Sequence, residues 1–184
     1  MAKYIVGLPF DKLFLIEYRE EWISIFKEEK NKISDLLSQY KHDVEHIGST
    51  AIPGMIAKPI IDIMVGMEEN VDLAAIAQLL ETIGFENFGE CGRAGRIFMV
   101  KGKPENCIHH LHLVEKRSKY WSNNLIFREY LKNNRCAADK YRNLKLDLAE
   151  QFPDNRFMYR TLKSEFVEVI ICEIDKDSIR VSQR

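Results

Sequence analysis

The spacing of apolar side chains changes along the chain, and each change indicates a different secondary structure. Residues 20–39 carry aromatic and aliphatic side chains at steps of three and four, which predicts an amphipathic helix. The run at 13–18 (LFLIEY) is rich in residues that favour strands, and 44–47 is a second short run of that kind. Residues 59–65 (PIIDIMV) are apolar at almost every position, as in a strand buried on both faces.

The middle of the chain adds one helix and two strands. Residues 71–83 have helical period and stop before Gly84, which suits the position after a helix. Residues 96–101 and 108–115 predict two strands joined by a polar hairpin at 102–106 (GKPEN).

After Lys116 the strand signals stop and three helical stripes follow. They cover 119–133, 137–151 and 155–175, and we expect the polar end from Asp177 to fray. The expected fold class is therefore α+β, a mixed sheet with flanking helices and a helical C-terminal third.

We expect residues 1–184 to form a single domain, with a core at 13–116 and C-terminal helices at 119–175. Within that core, 51–58 contains Pro53 and Gly54, so it predicts a turn or one broken helical turn.

Charge narrows the class of partner. Lys and Arg number 27 against 28 Asp and Glu, and the resulting net charge of −1 argues against a protein dedicated to nucleic acid or to a membrane surface. A nucleoside triphosphate or another small phosphorylated molecule needs only a local cluster of cations, so it stays a candidate partner.

Targeting signals and cysteines indicate the compartment. The N-terminal residues lack a secretory pattern, and no uncharged stretch is long enough to span a bilayer. Four cysteines, Cys91, Cys107, Cys136 and Cys172, lack metal-binding spacing. We expect a cytoplasmic protein whose thiols are reduced and mostly buried.

A corner of small residues, Gly48-Ser49-Thr50, follows the strand at 44–47. Glycine lets backbone come close to a ligand, and the next N–H and hydroxyl groups can hold phosphate oxygens. A tight turn at the end of a strand explains the same residues without a ligand.

Asp62 is the one charge in the apolar strand at 59–65, and it lies 13 positions after Ser49. A carboxylate there is costly unless it binds a cation or accepts several hydrogen bonds. A structural aspartate that caps local N–H groups is the alternative. Phosphoryl-type transfer uses the combination of a phosphate-gripping corner and a carboxylate that holds a divalent metal.

The block at 46–63 (HIGSTAIPGMIAKPIIDI) closely resembles the signature of the GrpB-like family, which is grouped in the nucleotidyltransferase superfamily. The resemblance covers nearly the whole chain, roughly 13–172. Its other matching positions are Trp22, Gly92-Arg93, Arg96-Ile97-Phe98, His110-Leu111-His112, the helix segment 127–131 (FREYL), Tyr141, Leu144-Lys145, Tyr159, Lys163 and Phe166.

The resemblance implies a nucleotidyltransferase-like core in which Gly48 and Ser49 meet a triphosphate. It also implies that Asp62 is the first metal-binding carboxylate of a pattern whose second acid lies two residues later. Met64 occupies that second position, and a thioether is no ligand for Mg²⁺. Two-metal transfer of a nucleotidyl group therefore loses one bridging ligand.

His110 and His112 are the candidates that compensate for Met64. At i and i+2 on a strand their side chains share one face, and with Asp62 they would form a two-histidine, one-carboxylate site. Such a site suits Zn²⁺, Mn²⁺ or Fe²⁺ more than Mg²⁺. Hydrogen-bonded sheet histidines, or donors to a phosphate, are the alternatives; His46 is expected to pack, although it could join the site.

Several cations are candidate ligands of an anionic substrate, since arginine makes paired bonds to phosphate. Arg96 is the preferred one, whereas Glu- and Asp-rich helices favour ordinary ion pairs for Arg128 and Lys163. Tyr159 either donates into the same cleft or packs on the sheet. The full candidate set is Lys58, Arg93, Arg96, Arg128 and Lys163.

Two functions of different classes follow. The first is transfer of a nucleotidyl group from an NTP to an acceptor, with Asp62 holding Mg²⁺ or Mn²⁺ and His110 or His112 as ligand or base. The second is a nucleotide- or phosphate-binding module with reduced catalysis and a regulatory or chaperone-like role. The resemblance supports this option, because GrpB-like domains also occur fused to dephospho-coenzyme A kinase. A metal-dependent hydrolase is a third reading that the histidine pair permits.

Overall fold

Five strands form one mixed sheet in the computed structural model, which describes residues 5–182 and the side chains of 5–174. They are β1 (His42–Ile47), β2 (Ile61–Met67), β3 (Phe85–Asn87), β4 (Arg96–Lys103) and β5 (Asn106–Glu115). Their order is β1-β2-β5-β4-β3, with β2 and β5 parallel and the other neighbours antiparallel. The mixed sheet expected from the sequence is confirmed.

The five helices are α1 (Glu21–Leu36), α2 (Leu73–Glu81), α3 (Lys119–Asn133), α4 (Arg135–Gln151) and α5 (Arg156–Ser182). Polar side chains cap four of them, because Asp72, Ser118, Asn134 and Asn155 each accept a hydrogen bond from a backbone N–H of the first turn. Within residues 5–182, no helix offers an apolar stretch long enough to cross a membrane.

The two faces of β2 have different roles. Ile61, Ile63 and Val65 are fully buried in the main core, which α1 and α2 cover. Asp62 and Met64 alternate with them and so point to the opposite face, toward the C-terminal helices. The same alternation on β4 and β5 brings one set of side chains from each strand to that second face.

One strand prediction is wrong and one strand was missed, both for local reasons. The run at 13–18 forms no strand, because Ile16 pairs only with Ala57. The segment that contains Ala57 turns away directly after that residue. β3 was not predicted, since only Phe85 of its three residues is buried and no alternation can show. The hairpin prediction at 102–106 is too long, because the strands continue to Lys103 and resume at Asn106.

The ends of the chain and the thiols also differ from expectation. The backbone of α5 is helical to Ser182, past the expected end, while 183–184 lie outside the described residues. All four cysteines are free, but only Cys107 is buried, so the expectation of mostly buried thiols is wrong.

Candidate functional site

Asp62 lies on the second face of the sheet and lines a cavity of about 620 Å³ between the sheet and the C-terminal helices. Its side chain is 30% exposed and accepts a hydrogen bond from a histidine, with no backbone amide of the described residues bonded to it. The carboxylate therefore faces the cavity, and its hydrogen-bonding capacity is not taken up by backbone amides of the described residues.

His110 and His112 share that face with Asp62, as the alternation along β5 predicts. His110 Nδ1 lies 3.1 Å from Asp62 Oδ1, and His112 Nε2 lies 3.7 Å from the same oxygen. The first distance is a hydrogen bond, whereas the second is too long for one and leaves only an electrostatic attraction. His46 lies on the other face, stacked on Phe26 at 4.6 Å, and does not join the group.

The charge state of this group follows from its surroundings. Burial opposes ionisation of Asp62, but the hydrogen bond from His110 and the nearby His112 ring hold the pKa of the carboxyl well below its usual value. Burial lowers the pKa of both histidines, against the opposing pull of Asp62. Two neutral imidazoles therefore face an ionised carboxylate near neutral pH.

Gly48 shapes the corner beside Asp62. Its φ is +70°, and a Cβ at this position would lie 2.5 Å from Asp62 Oδ2. Only glycine fits both the left-handed backbone and this close approach. The Gly48 backbone therefore lies close to the Asp62 carboxylate at the edge of the cavity.

We expect Gly48→Ala to lower the free energy of unfolding by about 1–3 kcal/mol, because the backbone is strained and the new methyl group displaces Asp62. Gly54→Ala is the matched control: its φ is +75°, and nothing lies within 4 Å of its Cβ position. Urea denaturation measures both variants. Equal losses would show that contact with Asp62 adds nothing to the strain.

Lys145 on α4 is the functional candidate that the sequence reasoning missed. It is 1% exposed, and its Nζ donates to the Ser49 hydroxyl at 3.1 Å and to the Ile56 carbonyl. Burial, followed by the charge of Lys163, lowers its pKa to about 6. The signal was a lysine on the apolar stripe of α4, four residues after Tyr141.

The stability of the free protein should depend on pH through Lys145. The pKa is about 6 in the folded protein against 10.5 for the ordinary side chain, so the unfolded chain binds more protons between these values. The free energy of unfolding should therefore rise with pH from about 6 to 10, and this rise should be shallower in Lys145→Met. Denaturation of both proteins at several pH values measures the difference, and identical profiles would contradict the depressed pKa.

Three predicted ligand residues have partners within the protein. Thr50 is buried, and its hydroxyl bonds to His46 at 3.0 Å. Arg128 donates to Glu45 and to the His46 carbonyl, both at 2.7 Å, and so ties α3 to β1. Arg96 is 7% exposed, and its guanidinium is also bonded within the protein. Among the predicted cations, Arg128 fits the ion-pair alternative.

Arg96 contacts His112 directly. Its Nη1 lies 3.3 Å from His112 Nδ1, and the Tyr120 hydroxyl lies 2.9 Å from the same nitrogen. Its Nη2 donates to the carbonyls of Glu90 and Cys91. The guanidinium therefore fixes the 88–95 loop and the His112 ring, although it also lines the cavity.

Lys58, Lys163 and Tyr159 lie together in the cavity wall. Lys58 Nζ is 5.9 Å from the centre of the Tyr159 ring. Burial and the charge of Lys163 lower the pKa of Lys58 to about 7, whereas Tyr141 raises the pKa of Lys163. Burial raises the pKa of Tyr159 to about 12. Two lysines and a protonated tyrosine thus face the same space.

The cavity wall is strongly cationic. Its acidic residues are Asp62 and Glu168 alone among the described lining. Of the cations only Arg128 has an ion pair with a described carboxylate. The eight cations are Lys58, Arg93, Arg96, Arg128, Lys145, Arg156, Arg160 and Lys163. Arg156 and Arg160 were not predicted, because a helix-borne arginine gives no sign of which side it faces.

The donor set does not fit the expected divalent metal. Met64 is fully buried among Ile47, Val114 and Trp121 and is not part of the cavity wall. Asp62, His110 and His112 converge, but His112 presents its other nitrogen to a guanidinium. Among the described residues, no three His, Cys, Asp or Glu side chains are arranged to hold a metal ion.

The fold resembles that of solved nucleotidyltransferases. The chain is similar to the Cid1 poly(U) polymerase with MgGTP bound, at a TM-score of 0.53 and 14% identity over 73% of this chain and 44% of that one. A cytoplasmic RNA terminal U-transferase gives a TM-score of 0.51 at 14% identity, over 73% and 41% of the two chains. These likenesses confirm the nucleotidyltransferase-like fold class.

The chain belongs to the GrpB family, whose model, described as GrpB protein, matches residues 12–173. It is 32% identical to the glutamate-rich protein GrpB of Alkalihalophilus pseudofirmus, over 92% of this chain and all of that protein. The crystal structure of the conserved protein GrpB from Enterococcus faecalis is similar at a TM-score of 0.76 and 32% identity, covering 88% of this chain and 99% of that one.

A third relative is longer. UPF0157 protein YqkA of Bacillus subtilis is 34% identical over 87% of this chain, which spans 46% of that protein. The names of these GrpB relatives specify no reaction, so the function must be argued from the site.

Proposed function

We propose that this protein binds a nucleotide, or another phosphorylated small molecule, in its cation-lined cavity. The observation that carries the proposal is the excess of eight Lys and Arg over two acidic side chains in the wall, within a chain of net charge −1. Phosphate oxygens would supply the counter-charges that these side chains, apart from Arg128, lack among the described residues.

The phosphate end of the ligand is best accommodated beside Ser49. Its hydroxyl is already bonded to Lys145, and Lys58 and Lys163 line the same cavity. Lys145 is mostly neutral near pH 7 in the free protein, and a phosphate beside it would raise its pKa and restore its charge. The resulting attraction is strong because little water screens buried charges. Gly48 keeps this corner free of a side chain.

A nucleoside is the favoured remainder of the ligand. Three aromatic side chains that line the cavity are also solvent-exposed, Phe10 at 37%, Phe88 at 45% and Phe157 at 64%. Exposed rings at a cavity suit stacking against a planar base. Nucleotides are also the ligands named for Cid1, which shares the fold.

Thermal unfolding with each of the four NTPs, and with inorganic tripolyphosphate, tests this proposal. We expect stabilisation by at least one NTP that exceeds stabilisation by tripolyphosphate, since bound ligand raises stability by mass action. The absence of stabilisation by every nucleotide and by tripolyphosphate would overturn phosphate binding.

Transfer of a nucleotidyl group is the second candidate function, and the Asp62–His110 hydrogen bond favours it. The carboxylate orients the ring through Nδ1, which leaves Nε2 able to accept a proton. An acceptor hydroxyl oxygen would bond to the α-phosphorus, the bond to the pyrophosphate leaving group would break, and the hydroxyl proton would pass to His110. Pyrophosphate release that His110→Gln abolishes without loss of NTP binding would support transfer, and NTP binding without such release would leave the binding function alone.

A further inference from the structure

His112 has one nitrogen facing Asp62 and one facing a cation. On the Nδ1 side lie Arg96 Nη1 at 3.3 Å and the Tyr120 hydroxyl at 2.9 Å. On the Nε2 side lies Asp62 Oδ1 at 3.7 Å. The arrangement decides where the single proton of a neutral ring resides.

A guanidinium can only donate hydrogen bonds. A protonated Nδ1 would direct its N–H at Arg96 Nη1, another donor 3.3 Å away, so the arrangement favours a lone pair on Nδ1 of His112. The Tyr120 hydroxyl can donate to the same lone pair while its oxygen faces Arg96 at 3.5 Å. The ring proton is left on Nε2, directed at the Asp62 carboxylate.

A histidine that ligates a metal needs the opposite arrangement. The ligating nitrogen must be unprotonated, and the other nitrogen normally donates its proton to a carboxylate, a carbonyl or a water. In this chain the nitrogen that faces Asp62 carries the proton, and the other faces a donor.

We propose that Arg96 and Tyr120 lock the His112 proton on Nε2, so that the cavity engages its phosphorylated ligand through lysine and arginine side chains without a protein-held metal ion. The second half rests on the proposed function, whereas the first concerns the free protein. Lys58, Lys145 and Lys163 neutralise the phosphates in place of the metal. Met64, fully buried in one apolar cluster with Trp121, supplies no oxygen that could restore the site.

Nuclear magnetic resonance of the ¹⁵N-labelled full chain tests the first half. Long-range correlations between ring protons and nitrogens should show His112 with an unprotonated Nδ1 and a protonated Nε2 at neutral pH. A protonated Nδ1, or displacement of the Nε2 proton when Zn²⁺ or Mn²⁺ is added to the free protein, would overturn the lock.

Two arginine variants test the cause. The side-chain oxygen that Arg96→Gln introduces can accept a hydrogen bond from Nδ1–H, so this variant should bind Zn²⁺ about 10–100-fold more tightly than the unmodified protein. Arg93→Gln is the matched control, because Arg93 stands over the same Tyr120 ring at 5.7 Å. Equal Zn²⁺ affinity in the two variants would show that Arg96 does not prevent Zn²⁺ from binding at His112.

Calorimetric titration with ATP and with tripolyphosphate, in EDTA and in Mg²⁺, tests the second half. We expect affinity in EDTA to be at least equal to that in Mg²⁺, since the metal screens the phosphate charge from the lysines. Binding that needs Mg²⁺ and disappears in Asp62→Asn would overturn metal independence while keeping the proposed function. No binding in any condition would contradict both the proposed function and metal-independent ligand binding. The magnetic resonance result would still show whether the His112 proton is held on Nε2.

Discussion

Lys145→Met should weaken NTP binding by about 10–100-fold while leaving the protein folded, because a charged hydrogen bond to phosphate is worth about 1.5–3 kcal/mol. Methionine preserves most of the volume of a side chain that is 1% exposed, and it removes an amine that has no carboxylate partner among the described residues. Thermal stability without ligand should therefore be unchanged or higher.

Lys140→Met is the matched control for this effect, because Lys140 lies on the same helix but is exposed and outside the cavity wall. Calorimetric titration with the NTP that stabilises the protein best measures both variants. Similar affinities for the two would place the phosphate elsewhere than beside Ser49.

Met64→Asp, which restores the second acid of the superfamily pattern, should destabilise the fold by about 3–5 kcal/mol, the range for an uncompensated buried charge. Met64 is fully buried in an apolar cluster with Ile47, Val114 and Trp121, and an added carboxylate would lie among these side chains. It would also share a strand face with ionised Asp62.

Met64→Leu keeps the volume and should cost less than about 1.5 kcal/mol. Chemical denaturation measures the two variants side by side. A Met64→Asp protein of normal stability that binds Mg²⁺ would show that Trp121 yields readily and that position 64 reaches the cavity.

The strands that carry the site were predictable, because their signal is local. An apolar run with one charge marked Asp62, and the two-residue period placed His110 and His112 on one face. The run at 13–18 shows the limit of the same rule, since a strand also needs a neighbour, and the segment that pairs with Ile16 turns away after Ala57.

The partners of the cations were not predictable. Arg96 was the preferred phosphate ligand, yet its guanidinium is bonded to His112 and to two loop carbonyls. Lys163 was expected to make an ion pair on its helix, yet it lines the cavity. Charge alone gives no direction to a long side chain, so packing decides which cations reach a ligand and which the protein occupies itself.

The sequence by itself determined the family, the α+β class and the acid and histidines on one sheet face, because these depend on motif and periodicity. Tertiary structure alone decided that Lys145 bonds to Ser49, 96 positions away in the chain. It also decided that Met64 is buried in one cluster with Trp121 and that Arg96 contacts His112. Each of these contacts joins elements distant in the chain, and their positions follow from how the helices pack on the sheet.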